Sequence, residues 1–153
     1  LKPFLHITVG SADLHLYVHQ TDRGELVIGG PVNHYPTYSH KSTLDMLEKL
    51  AAHTLELLPS LRRVKVLRQW TGICDMTPDY APVMGKVDGL EGFILNCGWG
   101  TWGFKAAPVA GRSIAELIAT GKTPDLIEPF GLDRFRKGKL VNERAAAPAA
   151  AIH

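Results

Sequence analysis

Cysteine is scarce in this sequence of 153 residues, and apolar runs of membrane-spanning length are missing. The two cysteines, Cys74 and Cys97, form neither a disulfide framework nor a C-x-x-C half-site for zinc, so reduced thiols and a cytoplasmic location are expected. No apolar run approaches the roughly 20 residues that a membrane-spanning helix needs. The first four residues do not resemble a secretory signal, and the sequence therefore predicts a soluble protein with no membrane partner.

A strong excess of one charge is missing too, because 17 Lys and Arg stand against 15 Asp and Glu. Four cations between residues 62 and 68 are only a weak indication of nucleic-acid binding in a chain with a formal net charge of +2, and no nucleic-acid partner is predicted. The 45% of hydrophobic residues is enough for a buried core, which argues against a disordered chain.

Alternating apolar and polar residues predict several strands. Residues 14–20 alternate in this way, and residues 25–30 continue after a turn with Gly24, so the two segments are expected to form a β-hairpin. A neighbouring strand is expected at residues 4–9, and a further strand at residues 63–70.

A helix is predicted between residues 43 and 58, where leucine and alanine recur at helical spacing. Ser42 and Asp45 are expected to form a capping box at its start, and Pro59 is expected to end it. An ordered loop is predicted for residues 71–85, which are rich in turn formers.

A strand, a glycine loop and a helix follow one another in the second half of the chain. The prediction is a short buried strand at residues 92–96, a loop at 98–103 that reads Gly-Trp-Gly-Thr-Trp-Gly, and a helix over about 108–120. The loop matches the G-x-G-x-x-G fingerprint of dinucleotide sites. A complete site of that kind also needs a second buried parallel strand, and prolines interrupt the segment at 122–129 where it would lie.

What the loop retains is a turn that directs backbone N–H groups and the positive end of a helix at one place, which suits an electron-rich or anionic group. Lys105 adds a cation there. A turn packed for structural reasons, with Lys105 in solvent, is an equally weighted interpretation.

Other candidates for chemistry are weaker. His15 and His19 are too far apart on a strand to share a metal ion, and no metal site is predicted. Asp75 and Asp79 are expected to stabilise a turn rather than to act as an acid and base pair. Cys74 and Cys97 have no activating base in the sequence and are expected to be buried structural thiols.

Three strings carry a resemblance to a known family. They are Arg-Gln-Trp-Thr-Gly-Ile-Cys-Asp-Met-Thr-Pro-Asp at 68–79, Pro-Val-Met-Gly at 82–85, and Cys-Gly-Trp-Gly-Thr-Trp-Gly-Phe-Lys-Ala at 97–106. They resemble the β subunits of heterotetrameric sarcosine oxidases, within the D-amino-acid-oxidase-like flavoenzymes. The resemblance extends over nearly the whole chain but only the C-terminal part of such a subunit. Since the first residue is Leu1, the sequence is expected to be a piece of a longer protein.

The resemblance implies part of an FAD-dependent oxidoreductase fold of mixed α+β or α/β class. Residues 1–90 would belong to a substrate domain with an antiparallel sheet and helices, and residues 91–131 would be the C-terminal strand, loop and helix of the FAD domain. Residues 132–153 would form a C-terminal tail whose last dozen residues are expected to be mobile. The N-terminal fingerprint for the ADP half of FAD, and the histidine to which FMN is covalently linked, are not in this sequence.

The resemblance also implies an activity, which is the oxidative demethylation of sarcosine to glycine, with electrons passed to oxygen and the methyl carbon to folate. FAD and FMN are the implied cofactors, and the missing N-terminal half and the other subunits of a hetero-oligomer are the implied partners. Lys105 would be the catalytic residue that anchors the substrate carboxylate. The residues implied to bind FAD are Gly98, Gly100, Thr101, Gly103, Phe104 and Lys105.

Two other functions stay open from the sequence. The chain fits a subunit of a related amine or amino-acid dehydrogenase, because the same scaffold accepts several small amines. A truncated fragment without catalysis, acting as a binding module, is the alternative outside the enzymes.

Overall fold

The computed structural model describes residues 2–30, 32–33 and 35–141. The chain divides into two compact units, Leu1–Ile73 and Cys74–His153, which we call the first and second unit. The predicted boundary at 90/91 lies inside a hairpin of the second unit, and the assignment of segments to a substrate part and a flavin part stays a prediction.

The first unit contains a three-stranded antiparallel sheet in the order β1-β2-β3. Its strands are β1 (Val9–Ser11), β2 (Leu16–Gln20) and β3 (Leu26–Gly29). Alternate residues of β2 are buried, so that Leu16, Val18 and Gln20 face inward. The predicted hairpin of β2 and β3 is confirmed, with Gly24 at a φ of 98° in its turn.

The strand predicted at residues 4–9 is wrong except at its last residue. β1 begins at Val9, and the N–H groups of Phe4 and Leu5 donate to the side chain of Gln20 instead of to a neighbouring strand. A local apolar run cannot reveal that a side chain will take the backbone donors a strand would need.

Helix α1 (Leu44–Leu57) confirms the predicted helix, and a 3₁₀ turn follows from Pro59. The predicted cap is wrong, because the Oγ1 atom of Thr43 accepts the N–H of Met46 at 3.3 Å. Ser42 instead accepts a hydrogen bond from the side chain of Gln69 at 2.6 Å.

The strand predicted at residues 63–70 is also wrong. The 3₁₀ turn continues to Arg63, and the chain from residue 64 to residue 77 is irregular. Val66, Leu67 and Trp70 are all exposed. Alternation does not make a strand without a partner for its backbone, and among the described residues no strand pairs with this segment.

The second unit begins with an irregular loop and continues as a two-stranded antiparallel hairpin of β4 (Val83–Val87) and β5 (Leu90–Cys97). The ordered loop predicted for 71–85 is present except for its last three residues, which belong to β4. The Asp88-Gly89 pair, a common hairpin signal, closes the turn. β5 contains the predicted strand, but most of β5 is exposed, so its expected burial is wrong.

Helix α2 (Gly103–Thr120) begins five residues before the predicted start at 108. Pro108 therefore lies inside the helix, and Gly103, Phe104 and Lys105 form its first turn. Gly121 ends it with a φ of 71° and donates its N–H to Leu117, as predicted for the glycine after the helix.

The core of the second unit lies between β4, α2 and the segment after α2. Met84, Ala110, Leu117 and Ile127 are buried there, and partly buried side chains pack around them. Lys86 of β4 donates to the carbonyl of Gly121 at 2.7 Å, which places a cation at the negative end of α2.

The segment at residues 132–141 includes a short helix, α3 (Arg134–Lys137). The last dozen residues, for which the sequence predicts mobility, lie outside the described residues. The predicted mixed architecture of antiparallel sheets and helices is confirmed. In the part of the chain that the structure describes, no helix has the length and apolar character needed to cross a membrane.

Candidate functional site

The glycine loop lies between β5 and α2 and is attached to Asp75. The carboxylate of Asp75 accepts the N–H of Gly98 at 2.7 Å and the N–H of Gly100 at 3.1 Å. Asp75 was expected to stabilise a turn, and it hydrogen-bonds to the backbone of a loop that is distant in sequence. Both of these N–H groups are therefore already hydrogen-bonded within the chain.

All three glycines of the loop have a structural reason. Gly98 and Gly100 have φ values of 71° and 52°, which side chains disfavour. A Cβ at Gly98 would lie 2.5 Å from Cγ2 of Thr77, and one at Gly100 would lie 2.7 Å from Sδ of Met76. A Cβ at Gly103 would lie 3.2 Å from the Cβ of Trp99. The packed-turn interpretation therefore accounts for the spacing of the glycines.

The first turn of α2 is open. No side chain of the described residues caps its start, no acidic residue lies in its first turn, and the N–H of Ala106 bonds back to the carbonyl of Trp102. A helix start leaves N–H groups without helical partners and carries a partial positive charge. The N–H groups of Gly103 to Lys105 are thus suited to an electron-rich group.

Lys105 is exposed in this first turn. Its Nζ lies 5.1 Å from the ring centroid of Trp102, so the ammonium sits over an indole face. Phe104 and Thr101 are exposed beside it, and Phe104 is 99% exposed. The structure brings the six predicted flavin-binding residues together in one loop and helix turn, and their contact with a flavin stays a prediction.

Trp99 differs from Trp102, because it is a packing residue. Its Nε1 donates to Oδ1 of Asn96 at 2.9 Å, and its ring packs against the core of the second unit.

The loop that carries Asp75 is held by a buried ion pair. Asp79 and Arg134 are joined through two hydrogen bonds of 2.7 and 2.8 Å, and their side chains are 2% and 3% exposed. Arg134 also donates to the carbonyl of Ala81 at 2.8 Å and to that of Phe130 at 2.9 Å. The N–H of Val141 donates to Asp79 at 3.1 Å.

These contacts set the acidity of Asp79. Burial by itself raises the pKa of the Asp79 carboxyl, but the hydrogen bonds from Arg134 and from the N–H groups of Val141 and Ala81 hold that pKa well below its usual range. The sequence carries no signal for this pair, because Arg134 lies in a charged run beside Arg136 and Lys137.

The other candidate residues do not assemble into a site. Both cysteines are free thiols, but Cys74 is only half-buried and Cys97 is exposed, so their expected burial is wrong. Among residues 2–30, 32–33 and 35–141, no group of three or more His, Cys, Asp or Glu side chains is arranged to hold a metal ion. His19 contacts Thr8 at 3.2 Å, and His53 donates its Nδ1–H to the carbonyl of Leu14 at 2.7 Å.

Most of the chain matches a known protein family. Residues 3–117 match the model of the DAO family, described as FAD dependent oxidoreductase. The chain belongs to this family. The match includes the glycine loop and nearly all of α2.

Within this family, the chain is similar to several individual proteins. The chain is 42% identical to the sarcosine oxidase subunit beta of Rhodobacter capsulatus over 150 residues, which is 98% of this chain and 36% of that protein. It is 36% identical to a glycine oxidase of Pseudomonas putida over 106 residues, covering 69% of this chain and 28% of the relative. The chain thus spans about a third of the length of the relatives it matches.

The chain is also similar in structure to part of a solved protein. The L-proline dehydrogenase of P. horikoshii superposes with a TM-score of 0.77 and 32% identity, covering 83% of this chain and 34% of the other. The chain is therefore similar to parts of a sarcosine oxidase subunit, a glycine oxidase and an L-proline dehydrogenase.

Proposed function

We propose that this chain is the C-terminal part of an FAD-dependent enzyme that oxidises sarcosine to glycine, as the β subunit of a sarcosine oxidase. The observation that carries the proposal is the open first turn of α2 with Lys105 on it, in a chain of the FAD-dependent oxidoreductase family. The 42% identity to a sarcosine oxidase β subunit supports sarcosine as the substrate.

The residues present fit one side of a flavin and its substrate. The carbonyl oxygens of a flavin and the carboxylate of an amino acid are electron-rich, and the start of α2 supplies N–H donors, a helix dipole and an ammonium. We assign the backbone of Thr101, Gly103 and Phe104 and the side chain of Lys105 to these contacts. Gly98 and Gly100 would contribute through their backbone shape, since their N–H groups are bonded to a carboxylate of the chain.

Bound FAD would supply the redox chemistry by accepting a hydride equivalent from the N-methyl carbon of the amine. The task of this chain is orientation. A carboxylate about 4 Å from the ammonium of Lys105 would gain roughly 4 kcal/mol of Coulomb attraction at an effective dielectric constant near 20, before desolvation is subtracted. That is enough to select one orientation of a substrate as small as sarcosine.

Helix α2 also carries an apolar face that is exposed in this structure. Phe104, Ala107, Gly111, Ala115 and Ile118 recur at helical spacing and are all exposed. We propose that the remainder of a longer flavoprotein covers this face and binds the ADP half of FAD. The relatives, of which this chain spans about a third, support that proposal.

The finer features of the activity are part of the same proposal. Electrons would pass to oxygen and the methyl carbon to folate, FMN would be attached covalently at a histidine outside this chain, and the other subunits would complete a hetero-oligomer in the cytoplasm. The subunit naming of the curated relatives supports a multi-subunit enzyme.

A Lys105→Met substitution in the longer flavin-loaded protein tests the proposal. Losing the charge-assisted contact is expected to weaken the binding of carboxylate inhibitors by about 1.5 to 4 kcal/mol, which is one to a few orders of magnitude. Lys122→Met is the matched control, because Lys122 is an exposed lysine just past the end of α2. Inhibitor affinity that is equal in the Lys105 and Lys122 variants would remove Lys105 from the substrate site.

A related amine dehydrogenase is the second candidate, favoured by the likeness to the L-proline dehydrogenase. Proline and sarcosine share a carboxylate next to a secondary amine, so both demand the same role of Lys105. Bleaching of the flavin spectrum separates them: sarcosine is expected to bleach fastest, and faster bleaching by proline, dimethylglycine or a D-amino acid would support the second candidate. The 153-residue chain alone is expected to lack stoichiometric FAD, and bleaching by no amine in the completed protein would favour a non-catalytic fragment.

A further inference from the structure

The glycine loop contains a concave group of backbone donors that is already filled. Two N–H groups two residues apart, those of Gly98 and Gly100, converge on the carboxylate of Asp75 at 2.7 and 3.1 Å. Backbone N–H groups that converge in this way form a nest, which is a common anion-binding arrangement. In this chain the anion in the nest is a side chain of the protein itself.

The loop that supplies this anion is fixed at its other end. Asp79, four residues after Asp75, is buried and paired with Arg134. Between them, Thr77 donates to the carbonyl of Ala81 at 2.7 Å and closes the loop on itself. Asp75 is exposed, but the segment on which it stands is tied to the core of the second unit.

The nest lies directly before the start of α2. Gly103 is the first residue of the helix, three residues after Gly100, and Lys105 is in the same first turn. A carboxylate that holds Gly98 and Gly100 therefore restricts where the helix begins and where Lys105 is placed. Hydrogen bonds to an ionised group are about twice as strong as those between neutral groups, which suits the carboxylate to this restraint.

We propose that Asp75 is a positioning residue of the candidate site: its carboxylate fills the nest of the glycine loop and sets the position of the first turn of α2 with Lys105. Its consequence for catalysis rests on the proposed function, whereas the restraint itself does not. Since Asp75 occupies the nest, the string that resembles a dinucleotide fingerprint offers no donors at Gly98 and Gly100 to a pyrophosphate. The donors assigned above to a ligand, on the backbone of Thr101 and in the first turn of α2, lie outside this nest.

The first experiment uses the 153-residue chain without flavin. In an Asp75→Ala variant, hydrogen exchange at the amides of Gly98 and Gly100 is expected to be about tenfold faster or more, because a charge-assisted acceptor is lost. Formate added to this variant is expected to shift the two amide NMR signals back toward their native positions. Chloride at equal ionic strength, and formate added to the native chain, are expected to leave those signals in place.

Two further variants keep this result decisive. Asp125→Ala removes an exposed aspartate outside the loop and is expected to leave both glycine amides unchanged. Asp75→Asn keeps the size of the side chain, and is also expected to show faster exchange at both glycine amides. It replaces the alanine variant if that variant does not fold. The proposal is overturned if the amides of Gly98 and Gly100 exchange at the native rate in either Asp75 variant. It is also overturned if the alanine variant folds and formate does not shift its two amide signals back toward their native positions.

The second experiment uses the longer, flavin-loaded protein. Asp75→Ala is expected to lower kcat/KM for sarcosine about tenfold to a hundredfold, because a misplaced substrate anchor costs rates of that order, and formate is expected to restore part of it. If the native protein bleaches with sarcosine and Asp75→Ala performs equally well, the inference fails while the proposed function stands. If the native protein does not bleach with any amine, the proposed function fails, and the amide measurements still decide the role of Asp75.

Discussion

Each of the two units contains a buried polar centre that holds distant backbone together, but the two centres differ in charge. In the first unit the centre is Gln20, which is neutral and 4% exposed. Its Oε1 accepts the N–H groups of Phe4 at 2.8 Å and Leu5 at 3.0 Å, and its Nε2 donates to the carbonyl of Gly24 at 3.0 Å. A single side chain thus anchors both the N-terminal segment and the hairpin turn.

In the second unit the centre is the ion pair of Asp79 and Arg134. It joins the loop of residues 74–82, the segment at residue 130 and the backbone of Val141. The loop that it fixes also carries Asp75 and therefore the restraint on the glycine loop.

The two centres respond differently to the loss of a partner. Losing a neutral partner leaves unpaired dipoles, which costs the desolvation of one or two groups. Losing one member of a buried ion pair leaves an unpaired charge, which is far more expensive. We therefore expect the unit with the candidate site to be more sensitive to single substitutions and to acid than the first unit.

An Arg134→Met substitution is expected to have the largest effect. It leaves the Asp79 carboxylate buried without its partner, and the expected loss is about 3 to 5 kcal/mol in the free energy of unfolding of the second unit. Arg136→Met is the control, because Arg136 is exposed and its contact with Asp88 is 3.6 Å long at the surface. Urea unfolding followed by amide signals of the second unit measures the loss, and equal losses in both variants would contradict the comparison.

Acid is expected to have the next largest effect, again on the second unit. Because the folded pKa of Asp79 is lowered, the unfolded chain takes up a proton first as the pH falls. The stabilisation is complete above the ordinary aspartate pKa of about 3.9 and is lost progressively below it.

Urea unfolding at pH 7 and pH 3 tests this sign, with Arg134→Met as the control in which the decline should be much smaller. In the first unit, the hydrogen bond from Thr21 also lowers the pKa of Glu25, but that carboxylate is exposed and its contribution is small. An acid sensitivity of the first unit as steep as that of the second would contradict the expectation.

The sequence predicted those parts of the fold whose signals are local. The hairpin at Gly24, helix α1 with its end before Pro59, and the end of α2 at Gly121 each follow from a turn or end residue beside a clear periodicity. The strand expected at residues 63–70 failed, since alternation says nothing about whether a partner is present. The early start of α2 was missed because Pro108 resembles the first residue of a helix.

The sequence singled out the residues of the candidate site, whose role stays a prediction, but not the contacts among them. The glycine loop and Lys105 were visible from spacing and from the family resemblance. The bonds from Gly98 and Gly100 to Asp75 span 23 and 25 residues, and the pair of Asp79 with Arg134 spans 55. No periodicity connects residues at such separations, so contacts of this kind emerge only in the folded chain.

Replacing Gln20 tests the neutral centre of the first unit. A Gln20→Ala substitution removes the acceptor of two N–H groups and is expected to cost about 1 to 3 kcal/mol of the stability of the first unit, with no dependence on pH between 3 and 7 arising from that side chain. Gln69→Ala is the matched control, because Gln69 is exposed and bonds to Ser42 at the surface. If Gln20→Ala lost more stability than Arg134→Met, the expectation that the charged centre is the more sensitive one would be contradicted.

The cap of α1 is expected to give the smallest of these effects. Thr43→Ala removes the side-chain oxygen that accepts the N–H of Met46 and is expected to cost about 1 kcal/mol, the usual value for an N-cap. Ser42→Ala is the control that separates the observed cap from the one predicted by sequence, since Ser42 contacts Gln69 rather than the helix backbone. Exposed bonds of this kind compete with water, so the Ser42 variant should remain within about 0.5 kcal/mol of the native chain. Thermal unfolding of the two variants measures the loss of stability. A larger loss in Ser42→Ala than in Thr43→Ala would show that Ser42, not Thr43, caps α1.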